Sequence, residues 1–123
     1  MITYEDFKKV EIRAGKILSA EKIPDTDKLL KLVVDFNETK QVTDVAGVIS
    51  TLSAPRQIIS GISAYFPDPA VLVGKTCLFV TNLEPRIIRG FESNGMLFAI
   101  STKEGGFSLL EPNATIPAGT MAA

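Results

Sequence analysis

The stretch Gly74–Ile100, GKTCLFVTNLEPRIIRGFESNGMLFAI, decides the fold, because it sets an arginine-bearing polar segment between two strongly apolar runs. Thr76–Thr81 is rich in β-branched and aromatic residues, and Met96–Ile100 is an apolar run too short for an ordinary helix, so both read as mostly buried strands. Between them Asn82, Pro85, Gly90, Asn94 and Gly95 are turn formers. The expected result is a loop that presents Arg86, Arg89, Glu92, Ser93 and Asn94 outward from a rigid base, the usual arrangement for a binding site.

Outward from this stretch the chain keeps the same grain. Toward the C-terminus, Gly105-Gly106 reads as a hairpin turn, Phe107–Leu110 as a last strand and Pro112–Gly119 as ordered coil. Toward the N-terminus, Asp68-Pro69 supplies the cap and first position of a single helical turn ending at Gly74, and Arg56–Ser63 has strand composition. The apolar residues of Asn37–Pro55 follow neither helical nor strand period, which predicts an extended loop with at most a short hairpin. Leu30, Leu32, Val34 and Phe36 share one face of a strand that turns Lys31 and Asp35 to the other. Ile23-Pro24-Asp25-Thr26-Asp27 is a turn, proline fixing φ and the aspartates bonding local amides. In the first strand Val10, Ile12 and Ala14 alternate and the apolar parity then shifts to Ile17, which places a bulge at Gly15. Thr3-Tyr4-Glu5-Asp6 matches the capping box of a short helix reaching about Lys9. No repeat, low-complexity tract or linker interrupts the pattern. Short strands between turn signals, with brief helical pieces, specify an all-β fold: a small closed or partly closed barrel.

Composition narrows the function. At 123 residues the chain is one domain, residues 1–123, able to bury roughly two-thirds of the surface its unfolded form exposes. The longest apolar runs are a few residues and no leader-like succession opens the chain, so a soluble protein without signal peptide or membrane span is expected. A single cysteine, Cys77, excludes an internal disulfide and reads as a buried, inert thiol. The absence of histidine removes the commonest metal ligand and the best proton-transfer group near neutral pH, which makes most catalytic schemes untenable. Asp25 and Asp27 have no companions to complete a ligand set, so no metal and no cofactor is expected. A net charge of −1 argues against broad adhesion to nucleic acid; any such site must be a local patch.

The assembled motifs resemble the tRNA-binding domain family, a module of stand-alone tRNA-binding proteins and of the C-terminal domain or β chain of methionyl-tRNA synthetase. Asp6-Phe7 with Val10-Glu11-Ile12-Arg13-Ala14-Gly15-Lys16-Ile17 is similar to its opening strand, and Pro24-Asp25-Thr26-Asp27-Lys28-Leu29 to its first turn. Arg56-Gln57-Ile58-Ile59-Ser60-Gly61-Ile62 is similar to its third strand and Pro117-Ala118-Gly119-Thr120 to its closing element. The most specific likeness is Gly74-Lys75, Asn82-Leu83, Pro85-Arg86, Arg89-Gly90, Glu92-Ser93 and Gly95-Met96. Within 37–55 roughly ten to fifteen residues look inserted, long for a strand connection. Glu84 and Ile87 stand where lysines are common, which thins the basic patch.

The resemblance implies an OB-fold, a five-stranded β-barrel with short helices and a C-terminal extension. It also implies structure-dependent tRNA binding that does not read an anticodon, service to an aminoacyl-tRNA synthetase, cytoplasmic location and homodimers formed through Tyr4, Phe7 and the C-terminal segment. A secretion-chaperone-like peptide-binding protein of the same fold is the alternative. No residue is assigned a catalytic role. Candidate tRNA contacts are Asn82, Arg86, Arg89, Ser93, Asn94, Met96, Lys28 and Lys31. Arginine offers planar donor forks to phosphate and stacks on bases. Each choice has a plainer counterpart: Arg86 and Arg89 pairing with Glu84 and Glu92, Ser93 capping a turn, Met96 filling the core, and the lysines keeping the surface soluble, with Arg13 and Arg56 similar cases.

Overall fold

The computed structural model describes residues 1–123. The elements are helix α1 (Tyr4–Phe7) and strands β1 (Ile12–Lys22), β2 (Leu30–Asp35), β3 (Thr39–Thr43), β4 (Ile49–Ser53), β5 (Arg56–Ser60), β6 (Thr76–Val80), β7 (Arg86–Ile88), β8 (Phe91–Ser93), β9 (Met96–Leu97), β10 (Ala99–Ser101) and β11 (Phe107–Leu109). Two 3₁₀ turns, Ser63–Tyr65 and Pro69–Leu72, join β5 to β6. Five strands form one antiparallel sheet in the order β5-β2-β1-β6-β9, rolled into a nearly closed barrel as the OB-like reading requires.

Alternation in β2 drives the core. Leu30, Leu32, Val34 and Phe36 are at most 1% exposed, and they meet Ile17, Ile58, Leu72, Cys77, Phe79 and Leu97 in one cluster. The Phe36 and Phe79 rings pack edge to face, centroids 5.4 Å apart. Leu72, carried by the second 3₁₀ turn, is fully buried in the same cluster, and Asp68 caps that turn through the Ala70 amide. Burial raises the Cys77 thiol to about 11, as an inert core sulfur requires.

The bulge lies elsewhere than the parity of the apolar residues indicated. β1 runs in register against β6 through Gly15, and its irregularity against β2 falls between Ile17 and Ser19. Gly15 faces inward with Ile17, and a Cβ there would come within 2.5 Å of the Phe36 ring. Ala14 lies on the opposite face and is buried all the same, beside the C-terminal segment, whose Thr120 carbonyl accepts the Ala14 amide and whose Gly119 amide donates to Ala14. Adjacent Ala14 and Gly15 are thus both buried although they point to opposite faces, and that mimics a parity shift. Val10 is left exposed.

Three further boundaries differ. α1 ends at Phe7, with its Thr3/Asp6 capping box in place. β5 stops at Ser60 before the first 3₁₀ turn. Met96–Ile100 splits at Phe98: β9 pairs with β6, β10 turns away to pair with β11, and Leu110 then accepts the Leu78 amide on β6. Residues 37–55 carry a hairpin, β3–β4, exposed along both strands.

Candidate nucleic-acid interface

The segment between β6 and β9 is a second hairpin rather than an irregular loop. β7 and β8 pair Arg86 with Ser93, Ile87 with Glu92 and Ile88 with Phe91. The two-residue connection is Arg89-Gly90, at φ 52° and 84°. Both values are positive, the geometry of a type I′ turn that matches strand twist. Arginine is not what such a turn selects, so Arg89 occupies a left-handed position at the hairpin tip on grounds other than turn chemistry.

Alternation along the hairpin sorts its side chains. Arg86, Ile88, Phe91 and Ser93 share one face, on which Ser93 is buried, Ile88 and Phe91 are partly buried and Arg86 stays exposed, while Ile87 and Glu92 share the other. Ser93 is only 4% exposed; its Oγ accepts the Ile59 amide at 3.0 Å and donates to the Gly95 carbonyl at 3.2 Å. The expectation that Ser93 points outward is therefore corrected: it fastens the hairpin to β5. Asn82 is exposed, yet its Oδ1 accepts the Glu11 amide at 2.8 Å and its Nδ2 donates to the Lys9 carbonyl at 2.6 Å. Its polar atoms tie the start of the segment to the approach to β1.

Arg86 and Arg89 are exposed, and neither takes part in any of the six ion pairs. The pairing with Glu84 and Glu92 is absent. Arg89 and Ile88 line one wall of a groove of about 450 Å³, and Asp25–Leu29 of the β1–β2 turn line the other, including exposed Lys28. Asp25 and Asp27 stand in the same groove, so two carboxylates accompany its two cations, Lys28 and Arg89. Lys31 is committed elsewhere, 2.8 Å from Glu21 with its ammonium 5.3 Å from the Phe91 ring centroid. Met96 is 46% exposed on β9, which removes the core-filler reading. Asn94 is half-buried, its amide donating to the Gln57 carbonyl at 2.8 Å.

Arg13 and Arg56, which the sequence left open, are both held in ion pairs. Glu11 accepts from Thr81 Oγ1 at 2.8 Å and from Arg13 Nε at 2.6 Å, and these contacts, Thr81 foremost, hold its carboxyl below the usual range. Arg56 is gripped by Glu38 through Nε at 2.7 Å and Nη2 at 2.8 Å, which pushes the guanidinium pKa up. Sequence reasoning passed over Phe91 and Glu38. No local signal marks Glu38, because its partner lies 18 residues away on β5.

The model of the tRNA binding domain family matches residues 12–121. A methionine–tRNA ligase of Methanoregula boonei is 44% identical over 120 residues, 98% of this chain and 15% of that protein. The chain thus spans about a seventh of the curated relatives it matches. Among solved structures, a MetRS related protein from Pyrococcus horikoshii superposes with a TM-score of 0.82 at 34% identity, covering 100% of this chain and 98% of that one. A CsaA chaperone protein from Picrophilus torridus gives 0.76 at 27% identity, with 100% of each chain covered.

Proposed function

Because the chain belongs to the tRNA-binding domain family, we propose that it binds tRNA through the β7–β8 hairpin and the β1–β2 turn opposite, reading RNA shape and backbone rather than an anticodon. The observation that supports this reading is the pair of uncommitted cations, Arg89 and Lys28, on facing walls of one groove, with Arg86 exposed on the same hairpin. Their donors reach phosphate without breaking an ion pair. Half-buried Asn94 and exposed Met96 are further contacts in this reading. The module performs no chemistry of its own; it supplies affinity to an aminoacyl-tRNA synthetase, methionyl-tRNA synthetase first, in the cytoplasm. No helix is long and apolar enough to cross a membrane.

The test is fluorescence anisotropy of labelled total tRNA at several salt concentrations. With about three phosphates neutralised, log K should fall against log salt with a slope near −2 to −3. A slope near zero, or no saturation at low salt, refutes the reading. The likeness to the Picrophilus torridus chaperone protein then brings forward peptide binding on the same fold, seen as peptide-induced resonance shifts in a protein that ignores tRNA.

We infer further that the protein is a homodimer through α1 and the C-terminal segment. Tyr4, Phe7, Val10 and Met121 line a shallow apolar groove there, and Tyr4 and Phe7 are 72% and 48% exposed on a helix with no fully buried residue. Light scattering at micromolar concentration should give twice the 13.3 kDa of one chain, and a monomeric mass refutes the inference.

A further inference from the structure

One guanidinium closes the base of the hairpin-bearing segment. Arg56 opens β5, and its Nη1 donates to the carbonyls of Thr81 at 2.6 Å and Asn94 at 3.3 Å. These residues immediately precede and follow 82–93, so a single side chain spans both feet of the segment that carries Arg86 and Arg89. The Glu38 carboxylate holds the other edge of the guanidinium in a two-point grip, and the Phe36 ring centroid lies 5.4 Å from its central carbon. A fork held on two edges has one orientation available, which a lysine ammonium cannot reproduce. Farther along, Gln57 Nε2 donates to the Glu92 carbonyl and the Ile59 amide to Ser93, so three residues of β5, Arg56, Gln57 and Ile59, fasten the segment.

We propose that Arg56 is a positioning residue for RNA binding: it sets the separation of the two feet of residues 82–93, with Glu38 orienting it. The proposal rests on the reading of the β7–β8 hairpin as the tRNA site. Direct contact of Arg56 with phosphate is the competing role, and the geometry weighs against it. The Arg56 side chain is 24% exposed, its charge is matched by Glu38, and a phosphate would have to displace that carboxylate. The assignment also gives residues 37–55 a task, since Glu38 stands at the foot of the otherwise exposed β3–β4 hairpin.

The two roles predict opposite signs. In the full chain, Arg56→Lys keeps the charge but loses the fork, and Glu38→Gln removes a negative charge next to it. If Arg56 clamps, amide hydrogen exchange rises about tenfold across 82–93 in Arg56→Lys while the barrel strands stay protected. Labelled total tRNA then binds about fivefold more weakly with an unchanged salt slope, and Glu38→Gln weakens it about threefold. If Arg56 contacts phosphate instead, Glu38→Gln strengthens binding and exchange across 82–93 is unaltered, which overturns the proposal. Exchange that rises uniformly over the chain with affinity intact overturns it as well. A wild-type protein that ignores tRNA refutes the RNA reading and the functional half of this one, while the exchange data still decide whether Arg56 clamps the segment.

Discussion

Phe36→Ala is expected to lower stability by about 4 kcal/mol, because truncating a buried phenylalanine removes its transfer free energy and leaves a cavity the barrel cannot close. For a domain of 123 residues that corresponds to a fall in Tm of roughly 15 °C. It is a large fraction of what such a fold possesses. The size follows from where the ring sits. Phe36 is 1% exposed, meets Phe79 edge to face at 5.4 Å, and lies beneath the Arg56 guanidinium. Its ring also occupies the space that a Cβ at position 15 would enter, 2.5 Å away, with Val34 at 2.6 Å. Gly15→Ala should therefore destabilise by about 2 kcal/mol through overpacking. The two changes should not add: in the Phe36→Ala background the methyl group gains room on one side and the penalty at position 15 falls by about half. Thermal melts of the two single variants and the double variant decide it. A Tm fall under about 5 °C for Phe36→Ala, or strict additivity, would mean that the ring is not packed against Gly15 as described.

What could be read from the sequence, and what could not, divides by the reach of the interaction. The inward face of β2, the Thr3/Asp6 capping box, the Asp68 cap and the Gly105-Gly106 turn all depend on neighbours within a few residues, and all are in place. The position of the β1 bulge depends on β2, β6 and the C-terminal segment together, so apolar parity alone put it at Gly15 instead of beside Leu18. Candidate contacts suffered in the same way. Asn82 bonds a residue 71 positions away and Ser93 one 34 positions away, and nothing local separates such a tether from a free donor. The β7–β8 hairpin was hidden because arginine occupies the first position of a turn where asparagine or glycine would have announced it. The motif resemblance supplied the family. It did not separate the residues that hold the hairpin from those left free to meet a ligand.

That separation sets the second large effect. Arg86→Ala with Arg89→Asn should weaken tRNA binding by about fiftyfold at 0.1 M salt. Asparagine is chosen at position 89 because it tolerates positive φ and favours the turn, so the hairpin survives the loss of charge. The magnitude follows from counterion release: each phosphate contact contributes about 0.9 to the slope of log K against log salt, and hence roughly eightfold between 1 M and 0.1 M. Two contacts give about fiftyfold to a hundredfold. The slope should fall by about 1.8, leaving a residue near −1 that belongs to Lys28 across the groove. Adding Lys28→Gln should then bring it close to zero. Asn82→Ala acts by another route: it frees the Glu11 amide and the Lys9 carbonyl, so it should lower stability more than it alters the slope. Affinity and slope separate these cases where affinity alone does not, because loosening the hairpin weakens binding without changing the number of ions released. If the double arginine variant keeps the wild-type slope, the hairpin is not where tRNA is held.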